Sequence, residues 1–149
     1  MISNTLQQLG KACLCIFVMA SFISCVATQP SSDLIQREVP LPSITVENLH
    51  ALINSDSTAL VLDVRTPEEY NGPLGHIEGA LLIPVKELEQ RMHELSEYQH
   101  QEIYVVCRLG GRSSRATRML LETEHNATNV EGGMEAWSKM NDNMKGQVD

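Results

Sequence analysis

Cys107 stands in the run Val105-Val106-Cys107-Arg108-Leu109-Gly110-Gly111-Arg112-Ser113-Ser114, whose residue types describe an anion cradle with a nucleophile inside it. Gly110 and Gly111 carry no side chains, so the backbone there can curl until successive N–H groups point inward. A helix beginning directly after the loop adds the positive end of its dipole. The amides of Leu109, Gly110, Gly111, Arg112 and Ser113 would then surround the Cys107 sulfur and favour its thiolate. Free cysteine titrates near ~8.5, and electropositive surroundings of this kind bring the value to roughly 3.5–7.5. Arg108 and Arg112 supply positive charge for an anionic substrate, although Arg112, at the loop's end, would serve equally as a brace.

The elements that must position this loop follow from the hydrophobic pattern. Residues 103–106 form a continuous apolar run, which predicts a covered strand delivering Cys107 at its carboxyl end. A second such run, 59–64, predicts another buried strand, and residues 80–83, stopped by Pro84, a third. Ile44 opens the domain, with Thr45 as N-cap of a helix over 46–54. Leu88, Met92 and Leu95 mark one face of a helix within 85–97. Ser113 or Ser114 is expected to cap the helix carrying Ala116, Met119 and Leu120. A strand over 127–130, a Gly132-Gly133 turn and a helix over 134–140 with Trp137 as core anchor complete the order. Alternating strands and helices predict an α/β fold: a central, mostly parallel sheet with helices on both faces and ligands beyond the strands' carboxyl ends.

Four stretches in order resemble the rhodanese-like domains: Asp63-Val64-Arg65, Gly75-His76-Ile77-Glu78-Gly79-Ala80, the Cys107 loop, and Glu131-Gly132-Gly133-Met134-Glu135-Ala136-Trp137. The resemblance covers residues 44–140 and implies the three-layer rhodanese-like fold, shared with dual-specificity phosphatases of the cell-cycle type. It implies sulfur transfer through a Cys107 persulfide, from thiosulfate or a persulfide donor to cyanide, a thiol or a protein acceptor. No cofactor or metal enters, and no His/Cys pair has metal-ligand spacing. It also gives His76 a structural place, since a thiolate already held by backbone donors needs no general base. Asp63 and Arg65 are expected to hydrogen-bond the loops above the sheet with Glu69 as their partner, rather than to bind substrate. The segment Asn71-Gly72-Pro73-Leu74 is slightly long for the family. A non-enzymatic sulfur carrier or partner-binding module is the alternative. A phosphatase or arsenate reductase fits less well, because only four residues separate Cys107 from Arg112, a loop suited to a persulfide rather than a phosphate.

Composition narrows the partners. The 149 residues suit one domain, and a formal net charge of −8 argues against nucleic acid, which requires a basic face. Residues 12–27 pass without a charge behind Lys11, short for a membrane span and suited to a secretory leader. Residues 1–24 are therefore expected to be a signal peptide, 25–42 a tether, 43–141 the domain and 142–149 a polar tail. Phe22-Ile23-Ser24-Cys25 resembles a bacterial lipobox, with Cys25 as the lipidated residue; cleavage after Ala27 would instead release a soluble periplasmic protein. The expected location is the periplasm, with membrane contact only through leader or lipid. Of four cysteines, Cys13, Cys15 and Cys25 belong to the leader region, which leaves Cys107 without a disulfide partner inside the domain.

Overall fold

The computed structural model describes residues 40–55 and 59–146; the leader, Cys25, most of the tether and the last three residues lie outside them. The strands are β1 (Ser43–Ile44), β2 (Leu60–Asp63), β3 (Leu81–Leu82), β4 (Glu102–Val106) and β5 (Asn126–Val130). They form one sheet in the order β1-β5-β4-β2-β3, every pair parallel. Just before β1, the Pro42 carbonyl accepts from the Asn129 N–H at 2.9 Å. The helices are α1 (Val46–Ser55), α2 (Pro67–Tyr70), α3 (Leu88–Arg91), α4 (Gly111–Glu122) and α5 (Gly133–Lys145). None of the described helices is long and apolar enough to cross a membrane.

Strand alternation divides the apolar side chains between two cores. On one face Leu60, Leu62, Ile103 and Val105 pack with Leu88, Leu95, Ala116 and Leu120. On the other, Val61, Val106 and Val130 pack with Val46 and Leu49 of α1 and Met134 and Trp137 of α5. Cys107 continues the alternation of Ile103 and Val105, and so faces the side on which α4 begins. The central strands, covered on both faces, read as apolar runs for that reason.

Four expectations change. The helix expected within 85–97 is one turn of α3 followed by a 3₁₀ segment, Met92–Tyr98. A 3₁₀ helix eclipses positions three apart, and Met92, Leu95 and Tyr98 use that spacing to meet the core together. Ser113 and Ser114 do not cap α4: the N-cap is Gly110, at φ +107°, and no side chain caps it. Helix α5 extends to Lys145, into the stretch expected to be a polar tail. Finally, α2 was not expected, although Thr66-Pro67-Glu68-Glu69 carries its signature. The Thr66 hydroxyl accepts from the Glu69 N–H and the Glu69 carboxylate accepts from the Thr66 N–H, a reciprocal cap with proline in the first turn.

Candidate active site

The loop after β4 is shaped by what its peptide groups do. The carbonyls of Cys107 and Arg108 accept from the N–H groups of Met134 and Glu135 at 2.8 and 3.1 Å, so the first amides of α5 hold the loop from behind. Gly133 makes this approach possible: a Cβ there would stand 2.3 Å from the Cys107 carbonyl oxygen and 2.7 Å from that of Arg108. With the carbonyls turned toward α5, the loop's N–H groups are free to turn toward the sulfur.

Cys107 is buried, with 1% of its surface exposed. The Gly110 N–H donates to Sγ at 3.1 Å, and the Ser113 hydroxyl lies at 3.3 Å. Burial pushes the thiol's pKa up, but the Ser113 hydroxyl and the amides of Ser113, Gly110 and Leu109 outweigh it, leaving the pKa below the ordinary thiol value. Ser113 Oγ also lies 2.9 Å from the Gly110 carbonyl, so its single proton serves that oxygen when the thiol is neutral and the sulfur when it is charged. Leu109 presents its amide inward while its side chain stands 64% exposed at the loop tip. Gly111 opens α4 with nothing within 4 Å of the Cβ position, so no close contact requires a glycine there.

The arginines separate clearly. Arg112 is a brace: its two terminal nitrogens meet both oxygens of Glu69 at 2.6 and 2.7 Å, tying α4 to α2 across 43 residues of sequence. Hydrogen bonding to Arg112 holds the Glu69 carboxyl at about 2, against the burial that would raise it. Arg65 is fully buried and spent: Nε and Nη2 bind the Asp63 carboxylate, Nη1 the Glu69 carbonyl at 3.1 Å and Nη2 the Gly75 carbonyl at 2.8 Å. Asp63 also accepts from the Arg65 N–H at 3.0 Å. The loops above the sheet are thus held as expected, with one correction: Glu69 contributes only its carbonyl to Arg65 and gives its carboxylate to Arg112. Removing Arg65 would strand Asp63 in the interior, a change that costs about 3–5 kcal/mol in comparable buried pairs.

His76 is exposed, stacks on Tyr70 with ring centroids 3.9 Å apart and places Nδ1 3.2 Å from the Tyr70 carbonyl. It fixes the 71–75 segment rather than meeting the thiol. Arg108 is the cation left at the surface, its side chain 58% exposed, with Nε donating to Glu135 Oε1 at 2.8 Å. A cleft of about 450 Å³ opens beside it, lined by Arg65, Glu68, Glu69, Gly72, Pro73, Leu74 and Arg108, while Cys107 lies under the loop and does not line it. Sequence reasoning missed the pairing of Glu135 with Arg108, since charges 27 residues apart carry no local signal.

Residues 45–140 match the family model described as the rhodanese-like domain, and the chain belongs to that family. It is 38% identical over 99 residues to the putative sulfur carrier protein YrkF of Bacillus subtilis, covering 66% of this chain and 51% of that one. It is 32% identical over 73 residues to the thiosulfate sulfurtransferase PspE of Escherichia coli, covering 49% of this chain and 68% of that one. Among solved structures it resembles a rhodanese-like domain protein from Staphylococcus aureus, with a TM-score of 0.60 and 33% identity over 65% of this chain and 91% of that one. The chain thus spans about half the length of YrkF.

Proposed function

We propose that the protein is a sulfurtransferase working through a persulfide on Cys107. The observation that carries this reading is a buried thiol whose hydrogen-bond donors are the Gly110 amide and the Ser113 hydroxyl, arranged to hold a negative sulfur. In the first half-reaction the Cys107 thiolate attacks the outer sulfur of a donor such as thiosulfate. A new S–S bond forms, the donor's S–S bond breaks, and sulfite leaves with the electron pair. In the second, an acceptor thiolate or cyanide takes the outer sulfur and the Cys107 thiolate is regenerated, a ping-pong displacement with a covalent intermediate. Arg108 is the arginine that meets the donor: Glu135 holds its Nε but leaves its terminal nitrogens free, whereas those of Arg65 and Arg112 are spent on carboxylates and carbonyls.

The test is turnover of thiosulfate and cyanide to thiocyanate by wild type and Cys107→Ser, with circular dichroism of both. Loss of turnover in a folded variant is expected; retained turnover refutes the reading. YrkF, named a putative sulfur carrier, favours a second reading in which the domain holds sulfane sulfur for a protein acceptor. A persulfide that survives cyanide and thiols would select it. In both readings the leader exports the domain to the periplasm and Cys25 is lipidated, supported by the sixteen uncharged residues 12–27 and the lipobox-like end. Fatty-acid labelling lost in Cys25→Ala is the expected result, and labelling of neither protein contradicts lipidation.

A further inference from the structure

The surroundings of the nucleophile are poor in positive charge for a site meeting a dianion. Three guanidinium groups stand there, and two are committed: Arg65 to Asp63 and backbone carbonyls, Arg112 to Glu69. Among the described residues Arg108 is the one cleft cation whose terminal nitrogens make no hydrogen bond, and Glu135 holds its Nε. Glu68 and Glu69 line the cleft with Arg65 and Arg108, and Asp63, Arg112 and Glu135 stand behind them as ion-pair partners, so the group sums to four carboxylates and three cations before the thiolate adds its own charge. Glu135 is fixed from two sides, its N–H donating to the Arg108 carbonyl and its carboxylate accepting from the Arg108 side chain. The cleft, at about 450 Å³ with Gly72, Pro73 and Leu74 in its wall, is of the size that encloses an organic molecule.

Resting on the sulfurtransferase reading, we propose that Glu135 is a specificity-determining residue: by neutralising Arg108 it sets the site against doubly charged inorganic donors and toward persulfides of organic thiols. A persulfide such as that of cysteamine brings its anionic outer sulfur to the loop amides and its ammonium toward Glu68 and Glu69 in the cleft wall. The Cys107 thiolate takes the outer sulfur and cysteamine thiolate leaves, so atoms and charge balance. Thiosulfate must place two negative charges beside one half-neutralised arginine.

The test compares the rate of sulfur loading onto Cys107 in the full chain, wild type and Glu135→Gln, with thiosulfate and with cysteamine persulfide as donors. Glutamine keeps an acceptor for Arg108 and removes only the charge. The expected result is an apparent KM for thiosulfate lowered about fivefold, the scale of one partly exposed charge acting on a dianion. The KM for cysteamine persulfide should hold or rise, with kcat changing less than KM. A donor preference unmoved by Glu135→Gln overturns the proposal. Wild type supplies a check independent of folding of the variant: at ~1 M salt, where the Debye length is about 3 Å, the KM for thiosulfate should fall, because repulsion is being screened. A KM that rises with salt means that the site attracts dianions, and also overturns it. If neither donor adds sulfur to Cys107 in wild type, the sulfurtransferase reading fails instead.

Discussion

Helices α4 and α5 begin alike and serve opposite ends. Each starts after a glycine in the left-handed region, Gly110 at φ +107° and Gly132 at +72°, and neither has a side-chain cap. Each therefore offers unpaired N–H groups and the positive end of a dipole, equivalent to roughly half a charge. In α5 the first amides are consumed by the carbonyls of Cys107 and Arg108. At α4 the Gly110 amide and the Ser113 hydroxyl are left to the sulfur of Cys107, and the Leu109 and Ser113 amides help to lower its pKa. A helix N-terminus becomes an anion site only when no backbone carbonyl has taken its donors, and here one helix is used up so that the other remains open.

That contrast can be broken from either side. Gly133→Ala should have the largest effect, because its Cβ would meet backbone oxygens that cannot move without driving α5 off the loop, in a backbone already at φ +57°. Denaturant unfolding is expected to show a loss of about 3 kcal/mol or more, from overpacking and strain together. Gly110→Ala meets nothing closer than 3.8 Å and costs only the unfavourable φ, about 1–2 kcal/mol, yet it disturbs the amide that faces the sulfur. Its signature is a larger loss of thiol reactivity than of stability. Equal losses of both kinds in the two glycine variants would dissolve the distinction between scaffold and cradle.

A finer probe is the pH dependence of Cys107 alkylation. The thiol's pKa is lowered, so the reactive thiolate is present above that depressed value and lost as pH falls through it. The rate–pH midpoint should lie below that of a free thiol. Ser113→Ala removes one donor and should move it upward, with a several-fold loss of rate at neutral pH. A midpoint unmoved by Ser113→Ala would assign the shift to the amides alone.

The smallest effect belongs to Glu69→Gln, which loosens the brace between α2 and α4. Its folded pKa of about 2 lies below the ordinary carboxylate value of 4.5, so its contribution is fully present above 4.5 and vanishes as pH falls through 2. Both partners are about one-third exposed, which limits the difference from wild type to roughly 1 kcal/mol or less near neutral pH. Acid titration of stability should show the two proteins converging toward pH 2. A gap that persists there would mean that glutamine disturbs α2 by another route.

Much of this was legible in the sequence because the signals were local. Apolar runs marked β2 and β4, since strands covered on both faces need no polar alternation, and Cys-Arg-Leu-Gly-Gly-Arg placed a nucleophile at a strand end. The three-residue spacing of Met92, Leu95 and Tyr98 marks the 3₁₀ segment, but a helical stripe through Leu88, Met92 and Leu95 shares two of those residues and competes with it. The capping signature of α2 was equally visible. What could not be read were the pairings of Arg112 with Glu69 and of Arg108 with Glu135. Charges 43 and 27 residues apart meet only once the sheet has ordered its strands. The same holds for the division of labour between the two glycine-started helices, which depends on which carbonyls reach which amides.

The most direct test of the account is the intact mass of the protein after incubation with a sulfane-sulfur donor and again after cyanide. A gain of about 32 Da per sulfur that is absent in Cys107→Ser and erased by cyanide is the predicted result, the mark of a covalent carrier. No gain with either thiosulfate or cysteamine persulfide, from a protein whose Cys107 still alkylates, would contradict it.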